Sequence, residues 1–147
     1  MQFKCDELPA DQHKTALLAL RISGELLNLD ELFLDFIHEE GEASFPCGQP
    51  FIEAHKDILG TFRYAYNPYT KQYERRIYIR SDLTGHELFF TICHECWHYY
   101  EHTKGYKASE EGADLFAWKC VDLWRSNRIY QQPQPLLPEL KIKENAQ

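Results

Sequence analysis

The sequence predicts an α+β fold in which helices from the N-terminal third and a small antiparallel sheet frame two further helices. Three observations predict it. Apolar residues recur at helical spacing in four stretches, one pair of aromatic and β-branched runs flanks a turn, and 147 residues supply one hydrophobic core rather than two.

From Asp11 to Leu27, apolar side chains at Ala16, Leu17, Leu20 and Leu27, widened by Leu18, Ala19 and Ile22, form an amphipathic stripe that Gly24 weakens near its end. A second helix is expected over Asp30 to Glu40, where Leu32, Phe33, Phe36 and Ile37 share a face and Gly41 offers a stop. Pro46 and Pro50 then impose an irregular, partly extended segment. Ile58 to Tyr66 and Gln72 to Arg80 read as strands of a hairpin, with Asn67-Pro68-Tyr69-Thr70-Lys71 as its turn. Ser81 to Thr84 can cap a helix running to about Thr103 and ended by Gly105, and Ser109 can cap another from Glu110 to about Asn127. Residues 1–130 thus read as a single domain, and 131–147, which contains Pro133 and Pro135, as an extended tail.

A hydrophobic fraction of 44% and an aromatic fraction of 14% exclude a disordered chain. The start lacks a basic segment followed by an apolar run, and no stretch approaches the roughly 18 apolar residues of a membrane span, so a cytoplasmic protein is expected. Five cysteines, an odd set without framework spacing, suit a reducing compartment. The net charge of −7 argues against general nucleic-acid coating, but residues 61–80 carry five basic groups against one acid.

His94-Glu95-Cys96-Trp97-His98 is an H-E-x-x-H motif. On a helix, histidines four positions apart project from one side and can bind one Zn2+. A water on such an ion has a pKa of about 7, and Glu95 can take its proton and pass it to a leaving amine. Chance alone yields the motif in about three of a hundred shuffles of this composition, so it needs support. Glu110-Glu111-Gly112-Ala113-Asp114 supplies it, one short loop later. Glu110 can act as third ligand from the start of the next helix, with Asp114 accepting the free ring N–H of a ligand histidine; Glu111 and Asp114 remain alternative ligands. The competing reading of this cluster is acidic charge complementing a helix N-terminus.

The stretch from Phe90-Thr91-Ile92-Cys93 through the motif to His102, followed by Glu110 to Asp114 and Phe116-Ala117, resembles the ImmA/IrrE metallopeptidases over about residues 77–120. The resemblance implies a minimal zincin-like (gluzincin) domain with two zinc-bearing helices, zinc on His94, His98 and the cluster at Glu110, and catalysis by Glu95. It further implies a helix-turn-helix repressor as protein substrate, cut to induce phage-defence or stress genes. Short members paired with a repressor in anti-phage CBASS islands, the CapP type, match this chain in size. Cys96-Trp97 stands where the family commonly has a small or glycine-containing pair, and a Leu-Leu-x-Pro ending is missing after Cys120-Val121.

Cys93 and Cys96 point away from the histidine side of the helix and read as core. Cys47, in Pro46-Cys47-Gly48-Gln49-Pro50, resembles the propeptide cysteine switch of matrix metallopeptidases, in which a thiolate fills zinc's open position. Cys5 is the alternative inhibitory cysteine, and a plain apolar loop residue the competing reading of Cys47. The hairpin interleaves Arg63, Lys71, Arg75, Arg76 and Arg80 with rings such as Tyr73 and Tyr78, a pattern that can follow a phosphate backbone and stack bases. Single-stranded DNA is therefore an expected activator, against the alternative of ordinary sheet composition. The functional expectation is a zinc endopeptidase; the alternative is an inactive zinc-stabilised module that senses nucleic acid or binds protein. A structural protein with a fortuitous motif would hold no stoichiometric metal.

Overall fold

The computed structural model describes residues 2–3, 10–32, 34–37, 42–44, 50–53, 59–126 and 143–144. It is an α+β structure whose centre is a helix. Helix α1 (Ala10–Leu27) buries Ala16, Ala19, Leu20 and Ile22, and Asn28 ends it at φ 52, with Leu29 N–H donating to the Gly24 carbonyl at 3.0 Å. The Gln12 amide donates to the Ser81 carbonyl at 3.1 Å and also to that of Leu83, tying the start of α1 to the segment before α2.

Strands β1 (Gln2–Phe3) and β7 (Lys143–Glu144) pair in parallel, and β3 (Glu42–Ser44) and β4 (Pro50–Glu53) pair antiparallel. The principal sheet has the order β2-β6-β5, formed by β2 (Leu34–Ile37), β5 (Gly60–Asn67) and β6 (Gln72–Arg80). Its hairpin runs from Gly60 opposite Ile79 to Asn67 opposite Gln72. At the tip, the Asn67 side-chain oxygen accepts the Tyr69 N–H at 2.9 Å and Lys71 adopts φ 59, the local chemistry of an asparagine-led turn.

The helix expected over Asp30 to Glu40 is instead β2, which pairs in parallel with β6 from Leu34 opposite Ile77 to Ile37 opposite Arg80. The sheet is accordingly mixed, not wholly antiparallel. β5 satisfies only one edge of β6, and a helix at 34–37 would leave the buried backbone groups of the other edge without these partners. Leu34, fully buried, belongs to the same core as Ile77 and Ile79.

Helix α2 (Gly85–Lys104) packs on α1, on α3 (Glu110–Ser126) and on the β5/β6 hairpin. Thr84 occupies its capping position without a side-chain cap bond, so the expected hydroxyl cap is absent and the chain enters through Gly85 at φ 55. The other end follows expectation. Gly105, at φ 72, donates to the His102 carbonyl while Tyr106 N–H reaches that of Glu101 at 2.8 Å, a left-handed stop that favours glycine. Ser109 Oγ accepts the Gly112 N–H at 2.9 Å and so caps α3. No helix among the described residues is long and apolar enough to cross a membrane. The remainder of the Pro-rich tail lies outside the described residues.

Candidate metal centre

Helical spacing aligns His94, His98 and Glu101 along one side of α2, and the tight stop at Gly105 returns the chain so that α3 begins beside them. Three potential ligand atoms converge there: those of His94, His98 and Glu110 all lie within 4.8 Å of one another. Glu110 Oε2 is 2.9 Å from His94 Nε2, and its Oε1 is 3.3 Å from His98 Nε2. Each ring is held from behind. His94 Nδ1 meets Asp114 Oδ1 at 2.8 Å, and His98 Nδ1 meets Glu101 Oε1 at 2.8 Å. A carboxylate on Nδ1 fixes the proton there and turns the Nε2 lone pair inward.

These residues fit a metal ion. His98 Nε2 is buried and has no hydrogen-bond partner: the 3.3 Å approach of Glu110 meets the distance of an ion pair but not the angles of a hydrogen bond. A buried nitrogen left in that condition is costly unless something accepts its lone pair. Two imidazoles and one carboxylate form a borderline donor set that suits zinc with a fourth position open.

Glu95 is buried beside the pair, with Oε2 3.8 Å from His94 Nε2. Burial pushes its carboxyl above the ordinary range, while His94, His98 and the Phe62 backbone N–H pull the other way. Gly60, at the start of β5, makes this approach possible: a Cβ there would lie 2.7 Å from Thr91 Cγ2, 2.9 Å from Ile79 Cδ1 and 3.4 Å from Glu95 Cγ.

Of the alternative ligands, Asp114 is engaged behind His94 and Glu111 lies exposed outside the set. Glu101, only 3% exposed, is the carboxylate that the sequence reading left out. Its position three residues after His98 was the available signal, since that spacing stacks two side chains on one helix side. Cys47 and Cys5 lie outside the described residues. Cys93 and Cys96 are fully buried, and burial pushes both thiols up, away from the reactive range.

The basic hairpin divides between two faces. Tyr78 is 2% and Arg76 7% exposed, so neither can stack or pair with a nucleic acid, and Arg80 is engaged with Asp82. Side chains alternate along a strand, so an interleaved sequence cannot place all its cations and rings on one surface. Arg63, Lys71 and Tyr73 do reach solvent. Arg75 donates from Nε to His102 Nδ1 at 2.8 Å, and Tyr64 stacks on that imidazole with centroids 3.9 Å apart.

Compared with family models, with curated proteins and with solved structures, the chain finds no match in any of the three.

Proposed function

We propose that this chain is a zinc-dependent endopeptidase of zincin-like type that cleaves a helix-turn-helix repressor, as the ImmA/IrrE resemblance implies. The observation that carries the proposal is the convergence of His94, His98 and Glu110, each histidine backed by its own carboxylate, next to a buried Glu95. When bound, zinc supplies a Lewis acid and lowers the pKa of a water to about 7. His94, His98 and Glu110 would hold the ion, while Asp114 and Glu101 hold the rings. Glu95 takes the proton of the attacking water on its carboxylate and returns it to the departing amine. Burial supports this role, because it disfavours the charged carboxylate and so eases transfer of a proton onto it. Among the described residues β5 is an edge strand, and its Gly60 and Phe62 flank Glu95, so an extended substrate can lie along it.

The test is incubation of the zinc-loaded protein with a helix-turn-helix repressor, taken from beside its gene where one is encoded there, followed by mass spectrometry of the products. Glu95→Gln is expected to keep one equivalent of zinc and lose cleavage by at least ~100-fold. Cutting by the variant at the native rate, or a preparation without stoichiometric zinc, would sink the proposal. Single-stranded DNA as activator is retained on the hairpin face shared by Arg75 and the exposed rings of Tyr64, Tyr66 and Tyr73, with Lys71 at its turn. Binding there is expected to weaken steeply with salt. Cleavage indifferent to added single strands at low salt would remove it.

A further inference from the structure

One side of the metal centre is bordered by apolar surface that the catalytic reading leaves unused. Along the seam between α2 and α3, the contact of His94 with Asp114 is followed, one helical turn on, by that of Phe90 with Trp118. The two rings meet edge to face with centroids 5.0 Å apart, and the Phe90 ring lies 6.3 Å from that of His94. Trp118 is 57% exposed and its neighbour Leu115 66% exposed, although each is large enough to be buried in most folds. Two exposed acids stand at the end of the patch away from His94, Glu87 one turn before Phe90 on α2 and Asp122 one turn after Trp118 on α3, while the exposed Lys119 adjoins Trp118.

We propose that Phe90, Leu115 and Trp118 form a specificity shelf for a bulky apolar side chain of the polypeptide substrate, close to the scissile bond and next to a lysine or arginine. The inference rests on the endopeptidase reading and names its substrate class. A helical turn rises about 5.4 Å and an extended chain about 3.4 Å per residue, so a side chain one or two residues from the bond at the metal reaches the shelf. Its occupant follows from continuity with the metal centre and from charge. The shelf begins at the flank of His94, within one or two residues' reach of a chain bound at the ion, and Glu87 and Asp122 at its far end favour a cationic neighbour there over an anionic one.

The test uses three small zinc-chelating probes on the zinc-loaded protein: the hydroxamates of phenylalanyl-lysine, glycyl-lysine and phenylalanyl-glutamate peptides, with Kd measured by titration calorimetry. The phenylalanyl-lysine probe is expected to bind roughly tenfold more tightly than the glycyl one. That ratio is expected to fall to about one in Trp118→Ala and to recover in Trp118→Phe, while the glycyl probe binds the wild type and both variants alike. Thermal melting of each variant checks that the fold persists. Equal binding of the phenylalanyl and glycyl probes to the wild type, or a ratio unchanged in Trp118→Ala, would overturn the shelf while leaving the metal centre standing. Equal binding of the lysine and glutamate probes would overturn its preference for basic neighbours. Binding of no probe would remove the open zinc position, and the endopeptidase reading would fall with it.

Discussion

The two histidines differ in how their backing carboxylates meet solvent. Asp114 is exposed, whereas Glu101 is buried behind His98 and has little water to share its charge. Asp114→Asn and Glu101→Gln are both expected to weaken zinc binding by roughly 10–100-fold, with Glu101→Gln the larger, as read by competition with a chelator. Unchanged affinity in Glu101→Gln would deny it a part in holding the ring. His102 shows the opposite electrostatics. Burial among Phe62, Tyr64 and Tyr73, and then the Arg75 guanidinium, hold its protonation below that of a free imidazole. The unfolded chain therefore binds the proton first as pH falls, so the contribution of neutral His102 is present above about pH 6.5 and is lost towards the lower folded value. His102→Gln is expected to show a smaller drop in Tm between pH 7 and pH 5 than the wild type; an equal drop would rule the contact out as a source of acid sensitivity. The convergence of His94 with His98 was legible from their spacing, because a helix converts four positions into one side. The burial of Tyr78 and Arg76 is not legible locally: residues 76–79 of β6 are all buried, so both faces of the strand are covered there, whereas alternation along one strand would leave one face open.

Among the elements, α1, α2, α3 and the hairpin announced themselves through periodicity and through Asn67, Gly105 and Ser109 at their ends. β2 did not. Leu32, Phe33, Phe36 and Ile37 satisfy a helical pattern and a short buried strand equally well, and only the vacant edge of β6, 43 positions further along at Ile77, chooses between them. The junction of β5 with α2 was equally hidden, since nothing local to Gly60 marks the approach of Thr91 and Glu95. Gly60→Ala is expected to cost about 1–3 kcal/mol and to lower Tm, because the added methyl must displace Thr91 Cγ2 or Ile79 Cδ1. Thr91→Ser removes the opposing methyl. The double variant is thus expected to lose less stability than the sum of the singles, and strict additivity in chemical denaturation would show that the two sites do not meet.

For the whole molecule, the proposed ion joins α2 to α3 and so couples its affinity to global stability. Stripping zinc is expected to lower Tm by roughly 5–10 °C at ion concentrations near a hundred times Kd, and restoring it to reverse the change. Identical melting with and without zinc would separate the centre from the fold. Length and composition bounded the molecule well, because both depend on totals; the pairing of distant segments depends on which surfaces remain unsatisfied, and totals do not record that. One further consequence follows from where the proposed ligands lie. All three fall between positions 94 and 110, on two helices joined by a short connection, whereas the sheet needs position 34 to find position 77. Short loops close at lower entropic cost and sooner than long ones. An ion captured at this helical corner would therefore latch it early, leaving the slower search for strand register to proceed around a nucleus already fastened.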